Sequence, residues 1–148
     1  MTTPAGMKLI EILLVEDNRG DARLLEEALR LSKGNYRLHH VSDGDEALRF
    51  LRREGPYADT VRPSLIFLDL NLPKIDGHHV LMDIKQDPSL KRIPVVVLST
   101  STAEQDILRS YDLHANCYVA KPADLPEFLR VVKIIEDFWL TIVKLPPE

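Results

Sequence analysis

Short runs of apolar residues alternate along the chain with segments whose apolar residues recur at helical spacing. Residues 10–15 read Ile-Glu-Ile-Leu-Leu-Val, and residues 22–31 then place apolar side chains every three or four positions, so the pattern is a strand followed by a helix. The pair repeats. Residues 37–41 precede a helix opened by Asp43, with Glu46 at capping-box spacing. Leu65-Ile-Phe-Leu precedes a helix over residues 77–86, and Val95-Val-Val-Leu precedes one from about residue 103. Cys117-Tyr-Val-Ala precedes a last helix, which the spacing predicts Asp124 to cap with Glu127 at the third position.

Five strands alternating with five helices predict an α/β fold, with parallel strands joined by right-handed crossovers and helices on both faces of the sheet. The third and fourth strands are continuously apolar, as strands buried on both faces must be. The longest candidate insertion is the loop over residues 55–63. A length of 148 residues matches one domain and leaves no room for a separate output domain. The 45% hydrophobic and 28% charged residues exclude a disordered or fibrous chain. A net charge of -4 gives no basic footprint, so nucleic acid is not expected as a partner.

Cys117 is the single cysteine, so neither an intrachain disulfide nor a thiolate metal site is expected. No run approaches the ~18 apolar residues of a membrane span. The opening Met-Thr-Thr-Pro-Ala-Gly is not a basic segment followed by an apolar one, so a cytoplasmic protein without membrane contact is expected. The adjacent pairs His39-His40 and His78-His79 diverge on a strand or a helix, and read as surface or edge residues rather than metal ligands.

Ligands of an open parallel sheet bind at the carboxyl ends of its strands. There the first strand ends at Glu16-Asp17, the third at Asp69, the fourth at Ser99-Thr100 and the fifth at Lys121-Pro122. Three clustered carboxylates repel one another unless neutralised, and a hard divalent cation, Mg²⁺ most economically, suits their oxygens. The acids would repel a bare phosphate, which speaks against a nucleotide or flavin fold with a glycine-rich first loop. A carboxylate beside a metal, a hydroxyl and a lysine is suited to accept a phosphoryl group. Asp69, the sole acid ending a central strand, is the candidate nucleophile.

With these residues in view, the sequence resembles the receiver domain, the phosphoacceptor module of two-component response regulators. The resemblance rests on Leu14-Val-Glu-Asp-Asn18, Leu68-Asp-Leu-Asn-Leu-Pro73 with Asp76-Gly77, Pro94-Val-Val-Val-Leu-Ser99 and Tyr118-Val-Ala-Lys-Pro122. Intervals of 30 residues from Asp69 to Ser99 and 22 from Ser99 to Lys121 are close to those usual in the family. Val15-Glu-Asp-Asn-Arg-Gly-Asp-Ala-Arg-Leu and the terminal Phe138-Trp-Leu-Thr-Ile-Val-Lys-Leu-Pro are similar to the small stand-alone regulators of bacterial phytochrome histidine kinases.

The resemblance implies a flavodoxin-like, doubly wound five-stranded sheet of order 2-1-3-4-5 with five helices. It implies a response regulator phosphorylated on Asp69 by a sensor histidine kinase, a phytochrome by the narrower likeness, catalysing only its own phosphorylation and dephosphorylation. Asp17, Asp69 and the backbone carbonyl of Asn71 would bind Mg²⁺, with Glu16 reaching it through water. Lys121 would pair with the phosphoryl oxygens, and the bond preceding Pro122 would be cis. Ser99 would bond the phosphoryl group and free Tyr118 to change rotamer, as the switch. Ser99 stands where Thr is commoner, and Thr100 where the family usually has Ala or Gly, so Thr100 crowds the hydrolytic water.

Two rivals are a phosphohydrolase of the haloacid dehalogenase type and a receiver acting only as a protein-binding scaffold. The first usually has an acid two residues after its nucleophile, where this chain has Asn71. The complete acid set weighs against the second. The reading divides the chain into a flexible amino terminus over residues 1–7, a receiver domain over 8–139 and an extension over 140–148. Leu125, Phe128, Leu129, Val132, Ile135 and Trp139 form one apolar stripe, while Val131, Ile134, Phe138 and Ile142 form a second. The second stripe predicts a homodimer through the fourth helix, fifth strand and fifth helix.

Overall fold

The computed structural model describes residues 9–30 and 35–147, so the flexible terminus expected over residues 1–7 lies outside the described residues. Strands β1 (Ile10–Val15), β2 (Tyr36–Val41), β3 (Leu65–Leu68), β4 (Val95–Ser99) and β5 (Cys117–Ala120) alternate with helices α1 (Arg19–Arg30), α2 (Gly44–Arg52), α3 (Gly77–Gln86), α4 (Glu104–Asp112) and α5 (Leu125–Glu136). They form one parallel sheet of order β2-β1-β3-β4-β5, the flavodoxin-like arrangement expected.

Strand side chains alternate between faces, and the two cores follow that alternation. Ile12, Leu14, Phe67, Val96 and Leu98 pack with the inner faces of α1 and α5. Leu13, Val15, Ile66, Leu68, Val95 and Val97 pack with α2 and α3. Both central strands are buried throughout, as their unbroken apolar runs require.

The helix starts show local rules met and unmet. Asp43 accepts from the Glu46 backbone N–H at 2.8 Å, while the Glu46 carboxylate reaches back to the Ser42 N–H at 3.1 Å. Asp124 does not cap α5 with its side chain; its backbone carbonyl instead accepts the Phe128 N–H at 2.9 Å, the first bond of the helix. The Lys121–Pro122 bond, expected cis, is trans. Trans is the lower-energy form of an X–Pro bond, and the chain carries Lys121 into the rim without the cis form.

His78 departs from the surface position expected of it. It is buried on α3 with its Nε2 atom 3.0 Å from the Ser110 Oγ and 3.3 Å from the Asp106 carbonyl, both on α4. The neighbouring position carries it inward because Val80, Leu81 and Ile84 set the buried side of α3. His79 and His40 are exposed, and His39 lies partly buried, with His39 and His40 on the edge strand β2.

The chain continues past α5 as a π-helical turn, Asp137–Ile142. Phe128, Val132, Ile135 and Trp139 are buried as expected, but Leu125 and Leu129, assigned to the same stripe, are exposed on its flank. Leu140, Val143 and Leu145 pack against the α1/α5 core, so part of the segment over residues 140–148 covers its own domain. Val131 is half-buried there too, whereas Ile134, Phe138 and Ile142 are exposed.

Candidate phosphoacceptor site

Strand register brings the candidate residues together. Val15 pairs with Leu68 and Ser99 with Ala120, so the residues one step beyond, Glu16, Asp69 and Lys121, emerge on one rim. Backbone bonds extend the ladders to them: Asp69 N–H to the Val15 carbonyl at 3.0 Å and Lys121 N–H to the Ser99 carbonyl at 2.7 Å. Gly77 closes the rim from α3. A Cβ there would stand 2.4 Å from the Asp69 carbonyl, so only glycine permits this approach of α3 to the Asp69 turn.

Carboxylate oxygens of Glu16, Asp17 and Asp69 lie within 4.8 Å of one another; Glu16 and Asp69 are buried and Asp17 is exposed. This all-oxygen set, open on the Asp17 side, fits a hard divalent cation. Asn71 is exposed and its N–H lies 3.4 Å from Asp69 Oδ1, so the Asp69 carboxylate is tied to the turn that carries Asn71.

The charge of the acids is answered by Lys121, whose side chain is 3% exposed. Its ammonium is ion-paired with Glu16, lies 3.0 Å from Asp21 Oδ2 and stands 3.7 Å from Asp69 Oδ2. Burial opposes the ammonium's charge, but the Glu16 bond and the further carboxylates outweigh it and raise its pKa. Burial pushes the Glu16 carboxyl up to about 7, with the hydrogen bond to Asp69 adding to the rise and Lys121 opposing it. A proton or a cation is therefore favoured between Glu16 and Asp69.

The candidate switch residues form a second cluster. Ser99 is fully buried and its Oγ accepts the Ser101 N–H at 3.1 Å. The Ser101 carbonyl accepts the Tyr118 hydroxyl at 2.8 Å, and the Ser101 hydroxyl donates to Asp106 Oδ2 at 2.6 Å. Ser99 and Tyr118 thus meet through Ser101, while Thr100 is exposed beside them. Pro122 lies half-buried behind Lys121.

Two contacts escaped the sequence reading. Asp21 reaches Lys121, and its signal was present: it stands in phase with Leu25 and Leu29, the buried stripe of α1. His40 lies with Nε2 2.8 Å from the Glu16 carbonyl, holding β2 to the rim. Nothing in the spacing of a paired histidine announces that bond.

Residues 12–133 match the response regulator receiver domain family. Response regulator Rcp1 of Synechocystis sp. is 52% identical over 135 residues, which cover 91% of this chain and 92% of that protein. The crystal structure of the Mn²⁺-bound form of Rcp1 has a TM-score of 0.92 at 51% identity, covering 93% of this chain and 99% of that one. The phosphorylated cyanobacterial phytochrome response regulator RcpA has a TM-score of 0.92 at 56% identity, covering 95% and 100%. The bacteriophytochrome response regulator AtBRR has a TM-score of 0.71 at 38% identity, covering 93% and 99%. The chain belongs to the response regulator receiver family, and its likeness to Rcp1 and RcpA extends over almost the whole of all three chains.

Proposed function

We propose that this response regulator accepts a phosphoryl group on Asp69 from a phosphohistidine of a sensor histidine kinase, and that the kinase is a phytochrome. The carrying observation is the convergence of Glu16, Asp17 and Lys121 around Asp69 at the end of β3. An Asp69 carboxylate oxygen attacks phosphorus, the P–N bond to the donor imidazole breaks as the P–O bond forms, and the imidazole nitrogen takes up a proton. Lys121 turns its ammonium to the arriving phosphoryl oxygens, and the Ser99 hydroxyl, buried at the same rim, donates its proton to them in a hydrogen bond. Asp17, Asp69 and the Asn71 carbonyl would hold Mg²⁺, with Glu16 reaching it through water, and the ion would supply further positive charge against those oxygens. The reaction is a self-modification in the cytoplasm, without turnover of a metabolite.

The exposed Ile134, Phe138 and Ile142 support a homodimer in which this face, with Leu108 and Tyr111 of α4, meets its copy. The receiver occupies residues 8–139, with residues 140–148 at the edge of that interface.

The test is Mg²⁺-dependent labelling by a phosphohistidine kinase and by a small acyl phosphate. Wild type becomes labelled and Asp69→Asn does not, because the amide keeps the shape but is not a nucleophile. Labelling of Asp69→Asn at the wild-type rate overturns the assignment. Steady multiple turnover of a phosphate ester points to a phosphohydrolase, and absence of any labelling to a scaffold.

A further inference from the structure

Two acids outside the Glu16 ion pair claim the Lys121 ammonium. In the reaction proposed above it belongs with the phosphoryl oxygens on Asp69, yet in the structure it lies closer to Asp21 Oδ2, at 3.0 Å, than to Asp69 Oδ2, at 3.7 Å. Asp21 is not one of the acids that cluster as candidate metal ligands, which are Glu16, Asp17 and Asp69. It stands in the first turn of α1, where the helix dipole favours a carboxylate, and its backbone N–H is bonded to the Asn18 side chain at 3.0 Å. Its own side chain is 28% exposed, against 3% for Lys121, so it closes the solvent side of the lysine's pocket.

We propose that Asp21 is a positioning residue that holds Lys121 toward α1 and competes with the phosphoryl group on Asp69 for its ammonium. The inference rests on Asp69 being the phosphoacceptor. One ammonium with three donors faces Glu16, Asp21 and Asp69 together, so a bond strengthened toward one acid is weakened toward another. When a phosphoryl group adds negative charge at Asp69, the lysine swings toward it and Asp21 is released. Phosphorylation is thereby felt at the first turn of α1 as well as at Ser99. Because Asp21 stands outside the acid cluster, its removal acts through Lys121.

The test uses the full chain and beryllofluoride as the phosphoryl mimic at saturating Mg²⁺. Asp21→Asn and Asp21→Ala are expected to bind the mimic roughly three- to tenfold more tightly than wild type, while neither binds Mg²⁺ alone more tightly. A general loosening of the fold would weaken both affinities, so the split separates positioning from structural support. In wild type, the carboxyl carbon resonance of Asp21 is expected to shift when the mimic binds. Mimic affinity unchanged or weakened in both variants, or an Asp21 resonance that does not move, overturns the competition and leaves the phosphoacceptor reading standing, provided wild type binds the mimic and Asp69→Asn does not. Failure of wild type itself to bind the mimic overturns both.

Discussion

His78 and Ser110 join α3 to α4 through a bond of 3.0 Å between Nε2 and Oγ, made by side chains that are 7% and 0% exposed. The Ser110 hydroxyl donates to the Asp106 carbonyl at 2.8 Å, so the histidine Nε2–H donates to the serine oxygen. Ser110 is the buried residue of α4, and Asp106 in the first turn also holds the Ser101 hydroxyl. The histidine therefore ties the helix that follows the Asp69 turn to the helix that follows Ser99.

Replacing His78 by Ala leaves a void and an unanswered Ser110 lone pair, and is expected to cost ~2 kcal/mol in urea unfolding. Ser110→Ala should cost about half as much, because His78 keeps the Asp106 carbonyl as a partner. Equal midpoints for wild type and His78→Ala would show that the bond contributes nothing.

The Glu16 carboxyl gives a pH dependence of defined sign in metal-free protein. Its folded pKa of about 7 lies above the ordinary 4.5, so folding takes up a proton between these values. The stability it contributes is fully present below 4.5 and is lost as the pH rises through about 7. Between about pH 5.5 and about pH 8 this group should remove roughly 2 kcal/mol, a loss that Glu16→Gln abolishes. The raised Lys121 loses its contribution only above the ordinary lysine range, outside this window. Parallel pH profiles of wild type and Glu16→Gln in a chelator would contradict the shift.

Asp17 is the exposed member of the acid cluster, and removing its charge should separate metal affinity from stability. Asp17→Asn is expected to weaken Mg²⁺ binding by about tenfold or more while leaving the metal-free melting temperature equal or higher, since like charges are relieved. Titration calorimetry and a melt in chelator measure the two effects. A large loss of metal-free stability would mean that Asp17 supports the fold.

For the outer face of the carboxyl-terminal segment, the expected outcome of Ile134→Glu combined with Phe138→Lys is a monomer in sedimentation at concentrations where wild type is a dimer. Both side chains are about half exposed, at 53% and 48%, so the substitutions spare the core. A wild type that sediments as a monomer at high micromolar concentration, with and without a phosphoryl mimic, would refute the dimer.

The alternation of apolar runs with helical periodicity determined the fold class and the bounds of β1, β3, α3 and β5, because buried parallel strands must be apolar on both faces and a helix must repeat its apolar side each turn. Strand ends then named Glu16, Asp69, Ser99 and Lys121, since a parallel sheet carries its carboxyl ends to one rim. Tertiary structure decided what depends on a partner far along the chain. Lys121 meets Asp21 across 100 residues and His78 meets Ser110 across 32, and no local period encodes such a meeting. The same holds for Leu125 and Leu129, which keep helical spacing with Phe128 and Val132 yet face outward, because they lie on the flank of the stripe, turned away from the buried Phe128, Val132, Ile135 and Trp139. Helical phase orders side chains around an axis; only packing determines how much of that circumference is buried.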